Sequence, residues 1–168
     1  MVLTRSELIA ALQKEVRILL HLAGKVDRTM LDYRPTPKQR STVELLRYLT
    51  MMGPILVQYV ISEKPDTAAW KDAAQAADAR DFDQCLAAIA AHTDLYQQLL
   101  GDVPDAVFRA EVPSASGDKT SRGAMIVDLV LGGCAAYRTQ LFLYLKTSGH
   151  EELTSANLWR GVDAQVAV

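Results

Sequence analysis

Apolar residues spaced three and four apart recur along four long stretches of this 168-residue chain. That period places each stretch on an α-helix with one buried face and leaves no segment with the alternation of a strand. The first runs from about Arg5 to Lys25, with Leu8, Leu12, Val16, Leu19 and Ala23 as its predicted buried stripe. Thr4 followed by Glu7 has the capping-box pattern, in which two side chains satisfy backbone N–H groups at the helix start, and Gly24 supplies a stop. The second helix is capped by Ser41 and continues to about Ser62, with Ser41, Leu45, Tyr48, Met52, Ile55 and Tyr59 predicted to point inward. Gly53-Pro54 lies inside it; proline lacks an N–H and crowds the preceding turn, so a kink is expected there.

Asp66 to Arg80 reads as a short alanine-rich connector helix. Asp81 with Gln84 opens the third long helix, which ends at Leu100 before Gly101 and shows Phe82, Cys85, Ile89, Tyr96 and Leu99 on its apolar side. The segment from Val103 to Arg122 is too rich in Pro, Gly and Ser for a helix and has room for a short hairpin. The fourth helix spans about Arg122 to Thr147, with Ile126, Val130, Gly133, Tyr137, Leu141 and Tyr144 on one face and Gly149 at its end. In the tail, one more turn around Asn157 to Arg160 lets Trp159 pack back. The expected architecture is an all-α four-helix bundle, one domain over residues 1–168, with a connector helix and an irregular segment before the last long helix.

Composition excludes several classes. Eighteen basic and 20 acidic side chains are mixed along the chain, giving a net charge of −2, without the basic stripe that nucleic acid requires. No uninterrupted apolar run reaches the roughly 18 residues of a membrane span, and charges break the N-terminal stretch where a signal peptide needs an apolar region. The two cysteines, Cys85 and Cys134, lack metal-type spacing, which suits a reducing cytoplasm.

Two segments resemble the DinB-like family, the DinB/YfiT metalloenzymes. YRPTPKQRSTVELLRYL, Tyr33 to Leu49, is similar to the family's entry into the second helix, and CAAYRTQLFLYLKTSG, Cys134 to Gly149, to its HxxxHR-containing fourth helix. The resemblance covers essentially the whole chain. It implies a divalent metal, often nickel or zinc, held by one histidine of the second helix and two of the fourth. The chain departs from that pattern at all three positions: Tyr48 stands at the first, Gly133 and Tyr137 at the other two. The expectation is therefore no metal and no cofactor. Of the three histidines, His21 is predicted exposed, His150 follows the fourth helix, and His92 beside Ile89 and Tyr96 reads as a hydrogen-bonded core residue; Asp94 and Asp128 propose no ligand set with it.

The candidate site is what occupies the family's metal position: Tyr48, Gly133 and Tyr137, with neighbours Cys134, Met52 and Arg138. It reads either as filled core or as a small pocket in which the phenols orient a ligand. Three functions follow: a small-molecule-binding or regulatory module; a metal-independent or divergent thiol-transferase- or isomerase-like enzyme built on Tyr48, Tyr137 or Cys134; and a structural homodimer associating through Met51-Met52 and the apolar stretch Leu56 to Val60.

Overall fold

Local capping chemistry sets where the helices begin in the computed structural model, which describes residues 3–62, 66–114 and 116–164. Reciprocal capping boxes open α1 (Arg5–Ala23) at Thr4/Glu7, α2 (Thr42–Ile61) at Ser41/Glu44 and α4 (Phe82–Leu100) at Asp81/Gln84. The connector α3 (Thr67–Asp78) starts on the Asp66 carboxylate. After α4 come a single short helix, α5 (Asp105–Arg109), and an antiparallel hairpin, β1 (Glu111–Pro113) with β2 (Lys119–Ser121), pairing Glu111 with Ser121 and Pro113 with Lys119. Ala115 and the tail residues 165–168 lie outside the described residues. The fourth long helix is continuous but not uniform: α6 (Arg122–Ile126), a π-helical turn over Val127–Leu131, then α7 (Gly132–Thr147). A final turn, α8 (Ser155–Arg160), follows Gly149, whose φ of 106° carries the chain away from α7.

The bundle is a ring in which α1 and α2 each touch both α4 and the fourth helix, with α3 against α2 and α8 against α1. One apolar cluster runs through it, with Leu12, Ile18, Leu22, Leu45, Leu46, Ile89, Leu100, Ile126 and Leu141 among its fully buried members. The predicted stripe of α1 is buried throughout.

The orientation of α2 differs from the sequence reading. Its buried residues include Leu46, Leu49, Gly53, Val57 and Val60, a face rotated by about 100°, one residue of an α-helix, from the predicted stripe. Leu45 and Met52 belong to both faces; Tyr48 and Ile55 are half-buried, and Tyr59 is 47% exposed. Because α2 packs on α3, α4 and α7 together, it is apolar on several sides and periodicity alone underdetermines its rotation. Met51, Met52, Val57 and Val60 are consumed by the core, so the stretch expected to form a dimer surface is largely interior.

α2 continues through Pro54, which is buried. Proline has no N–H to give the carbonyl four residues earlier, which leaves the Thr50 carbonyl without its helical donor. His92 on α4 supplies the replacement: its Nε2 lies 2.9 Å from the Thr50 oxygen, and the ring is 5% exposed. The Thr50 hydroxyl donates to the Arg47 carbonyl at 2.6 Å and accepts from Arg80 at 2.7 Å, while Arg47 donates to the Arg80 carbonyl at 2.8 Å. Gly53 serves the same junction, because a Cβ there would stand 2.0 Å from the Tyr96 hydroxyl oxygen. At the far end of α2 the Arg122 guanidinium donates to the Val60 and Ser62 carbonyls, tying α2 to the start of the fourth helix.

His21 is not exposed to solvent, contrary to the expectation from its helix face. It is half-buried against the C-terminal turn, where the Asn157 side-chain amide lies 3.0 Å from its Nε2. The turn expected around Asn157 to Arg160 is present as α8 and covers this part of α1.

Candidate functional site

Tyr48 leaves α2 at the edge of its buried face, and Tyr137 leaves α7 toward it. The two rings meet edge to face with centroids 5.0 Å apart and planes at 65°. Both phenols are half-buried. Burial, with the hydrogen-bonding Tyr137 hydroxyl adding to it, pushes the Tyr48 phenol up to about 12. Tyr48 therefore keeps its proton at neutral pH and can donate or accept a hydrogen bond.

Two residues that the sequence did not single out complete the surroundings. The Arg40 guanidinium lies 4.1 Å from the centre of the Tyr48 ring, and Trp70 of α3 meets the same ring at 6.3 Å. Arg40 is held there by its own backbone, whose carbonyl accepts from the Tyr144 hydroxyl of α7 at 2.8 Å. A cleft of about 370 Å³ opens between α2 and α3, lined by Arg40, Glu44, Tyr48, Met51, Trp70 and Asp78. Glu44 is engaged by the Ser41 N–H at 2.7 Å and by Arg34 at 3.1 Å, interactions that hold its carboxyl below the ordinary carboxylate range. A lone indole in an alanine-rich helix and an arginine two turns ahead of Tyr48 were the available signals. Neither reveals which neighbour it meets.

The remaining candidates divide between this site and the interior. A Cβ on Gly133 would come 3.3 Å from the Met52 methyl, so Met52 fills the space that Gly133 leaves. Cys134 sits beyond them, and burial pushes its thiol up to about 12, the opposite of an activated nucleophile. Arg138 points away from the phenols. Its guanidinium donates to both Glu15 carboxylate oxygens of α1 at 2.6 Å and lies 5.2 Å from the Trp159 ring, which shields one face of it while the indole itself remains 60% exposed. The Glu15 and Arg138 side chains are 14% and 6% exposed, and the Arg138 Nε has no hydrogen-bond partner among the described residues. Burial raises the Glu15 carboxyl above its ordinary value despite the facing guanidinium. His92, Asp94 and Asp128 do not approach one another as a ligand set, and among the described residues no three His, Cys, Asp or Glu side chains converge.

These residues do not fit a three-histidine metal centre. At the corresponding positions stand a protonated phenol, a glycine with no donor at all and a second phenol, with a thioether occupying the gap.

No family model matches the chain, and no curated protein matches it. Among solved structures it is similar to YjoA, a DinB-like protein from Bacillus subtilis, with a TM-score of 0.66 over 88% of this chain and 94% of that one, at 16% identity. The fold is DinB-like and all-α.

Proposed function

We propose that this DinB-like bundle is a small-molecule-binding or regulatory module, and that its ligand enters the cleft between α2 and α3 to reach Tyr48 and Tyr137. The observation that carries the reading is the meeting of the two phenols at 5.0 Å beside a cleft of about 370 Å³. That volume lies within the range of small-molecule sites, and the lining offers a stacking surface with a few oriented polar groups. A thiol-transferase- or isomerase-like enzyme is less well supported, because Cys134 and Tyr48 are both pushed to about 12, far from the pH at which either would exchange a proton efficiently. The two free cysteines suit a cytoplasmic location.

A fragment screen read by thermal shift, followed by calorimetry on the hits, tests the proposal. Trp70→Ala and Tyr48→Phe are expected to weaken the hits at least several-fold while changing the unliganded melting temperature little. Hits indifferent to both substitutions would place the binding site elsewhere. About one equivalent of tightly held nickel, zinc or manganese in purified protein would overturn the metal-free reading.

A further inference from the structure

The fourth long helix is the anomaly of this bundle. Over Arg122–Thr147 it is long and apolar enough to cross a membrane by length and composition, although it contains no uninterrupted apolar run, and only 22% of its most apolar window is buried. Ile126, Val130, Leu141, Tyr144 and Leu145 face the core. The opposite side carries Ala124, Asp128, Gly132, Ala136, Thr139 and Leu143, all exposed, with Leu143 at 55% and neighbouring Val127 at 41%. A core-forming helix of a monomer ordinarily turns a charged face to water. This one offers only Asp128 near its start and Lys146 near its end.

Those two charges are placed in a way that selects a partner. Asp128 forms no hydrogen bond or ion pair among the described residues. Lys146 donates to the Glu151 and Leu153 carbonyls at 2.6 and 3.1 Å but meets no carboxylate among the described residues. They lie about 27 Å apart along the helix, at 1.5 Å per residue. Two copies laid parallel would bring like charges together; two copies laid antiparallel bring each acid to the other's base.

We propose that this face is the contact surface of a homodimer, in which the two fourth helices pack antiparallel about a two-fold axis between residues 137 and 138. In that register the exposed Leu143 of one copy falls against Gly132 of the other, Ala136 lies beside Thr139, and Asp128 comes within a turn of Lys146. Each contact occurs twice, as an isologous interface demands, and the largest exposed side chain meets the position with none. The interface is independent of the ligand cleft, which lies on the α2–α3 side.

Light scattering coupled to size exclusion tests it on the full chain. The wild type is expected at dimer mass down to about 10 µM, a concentration that requires roughly 7 kcal/mol of association energy. Leu143→Glu places a carboxylate at the apolar seam twice and is expected to weaken the dimer at least tenfold. Asp128→Lys weakens it several-fold at low ionic strength, and Asp128→Lys combined with Lys146→Glu restores it, a recovery that only opposed pairing of these two positions produces. Leu143 and Asp128 are exposed, so circular dichroism of those variants should show an unchanged fold; Asp128→Lys and Leu143→Glu thus remain decisive even where Lys146→Glu disturbs the loop after α7. A wild type that stays monomeric at about 200 µM, or a dimer indifferent to both of those variants, overturns the proposal. So does a monomer that floats with phosphatidylcholine–phosphatidylglycerol vesicles, which would assign the face to lipid.

Discussion

Replacing His92 by leucine tests whether a side chain on α4 repairs the hydrogen bond that Pro54 removes from α2. Leucine keeps an apolar side chain of comparable reach at a site that is 5% exposed, so the cavity contribution is small. What disappears is the donor 2.9 Å from the Thr50 carbonyl. A buried carbonyl left without a partner costs about 1–3 kcal/mol, so His92→Leu should lower unfolding stability by about 2 kcal/mol. In a Pro54→Ala background residue 54 regains an N–H directed at the same carbonyl, and the identical substitution should then cost under about 1 kcal/mol. Loss of the edge contact between His92 and Tyr96, 5.9 Å between centroids, is common to both backgrounds and cancels in the cycle. The expected coupling is therefore about 1–2 kcal/mol, measured by urea denaturation at pH 8 with far-UV circular dichroism on all four proteins. Additivity within about 0.5 kcal/mol would refute the repair, and with it the account of why α2 tolerates an internal proline.

Other outcomes follow from the same packing. Gly53→Ala sets a methyl 2.0 Å from the Tyr96 hydroxyl oxygen and should destabilise by about 1–3 kcal/mol, with part of the loss recovered by adding Tyr96→Phe, both read from urea midpoints. Glu15→Ala strands the Arg138 guanidinium at 6% exposure and should cost about 3–5 kcal/mol, whereas Glu15→Leu with Arg138→Met should cost less than either single change. Burial holds His92 below its ordinary value of 6.5, so the stability it contributes is complete above that pH and lost as pH falls through the lowered value. Stability measured from pH 7.5 to 5 should fall, and His92→Gln, which keeps a donor and does not titrate, should flatten the decline.

The chain makes some of this legible because the causes are local. Thr4/Glu7 and Asp81/Gln84 determine helix starts through bonds spanning three residues, so the residues alone reveal them. The rotation of α2 is different in kind: with α3, α4 and α7 around it, its apolar residues do not define a single face, and the stripe through Tyr48, Ile55 and Tyr59 turns out to be an edge. Neighbours in sequence also part company in space. Arg138 follows Tyr137 directly, yet one residue is a 100° turn of the helix, which aims Arg138 at Glu15 on α1 while Tyr137 meets Tyr48 on α2. Arg40 and Trp70 were invisible as site residues because their meeting with Tyr48 depends on how a loop and a connector helix dock, and neither has a periodic signal of docking.

Phenols at the positions where the resembled family has histidines would recognise a different class of ligand. A divalent ion would hold anionic or thiolate ligands by charge, whereas two phenols offer hydrogen bonds and ring faces. The acidic group nearest Tyr48 along α2, Glu44, is already committed to Arg34 and the Ser41 N–H, and Arg40 spends its charge over the Tyr48 ring. On the proposed reading, affinity should therefore come from stacking and oriented hydrogen bonds and depend weakly on ionic strength. The packing leaves little room between the helices: Met52 of α2 occupies the gap opposite Gly133 of α7, and the tyrosines meet edge to face with Tyr48 at the wall of the cleft.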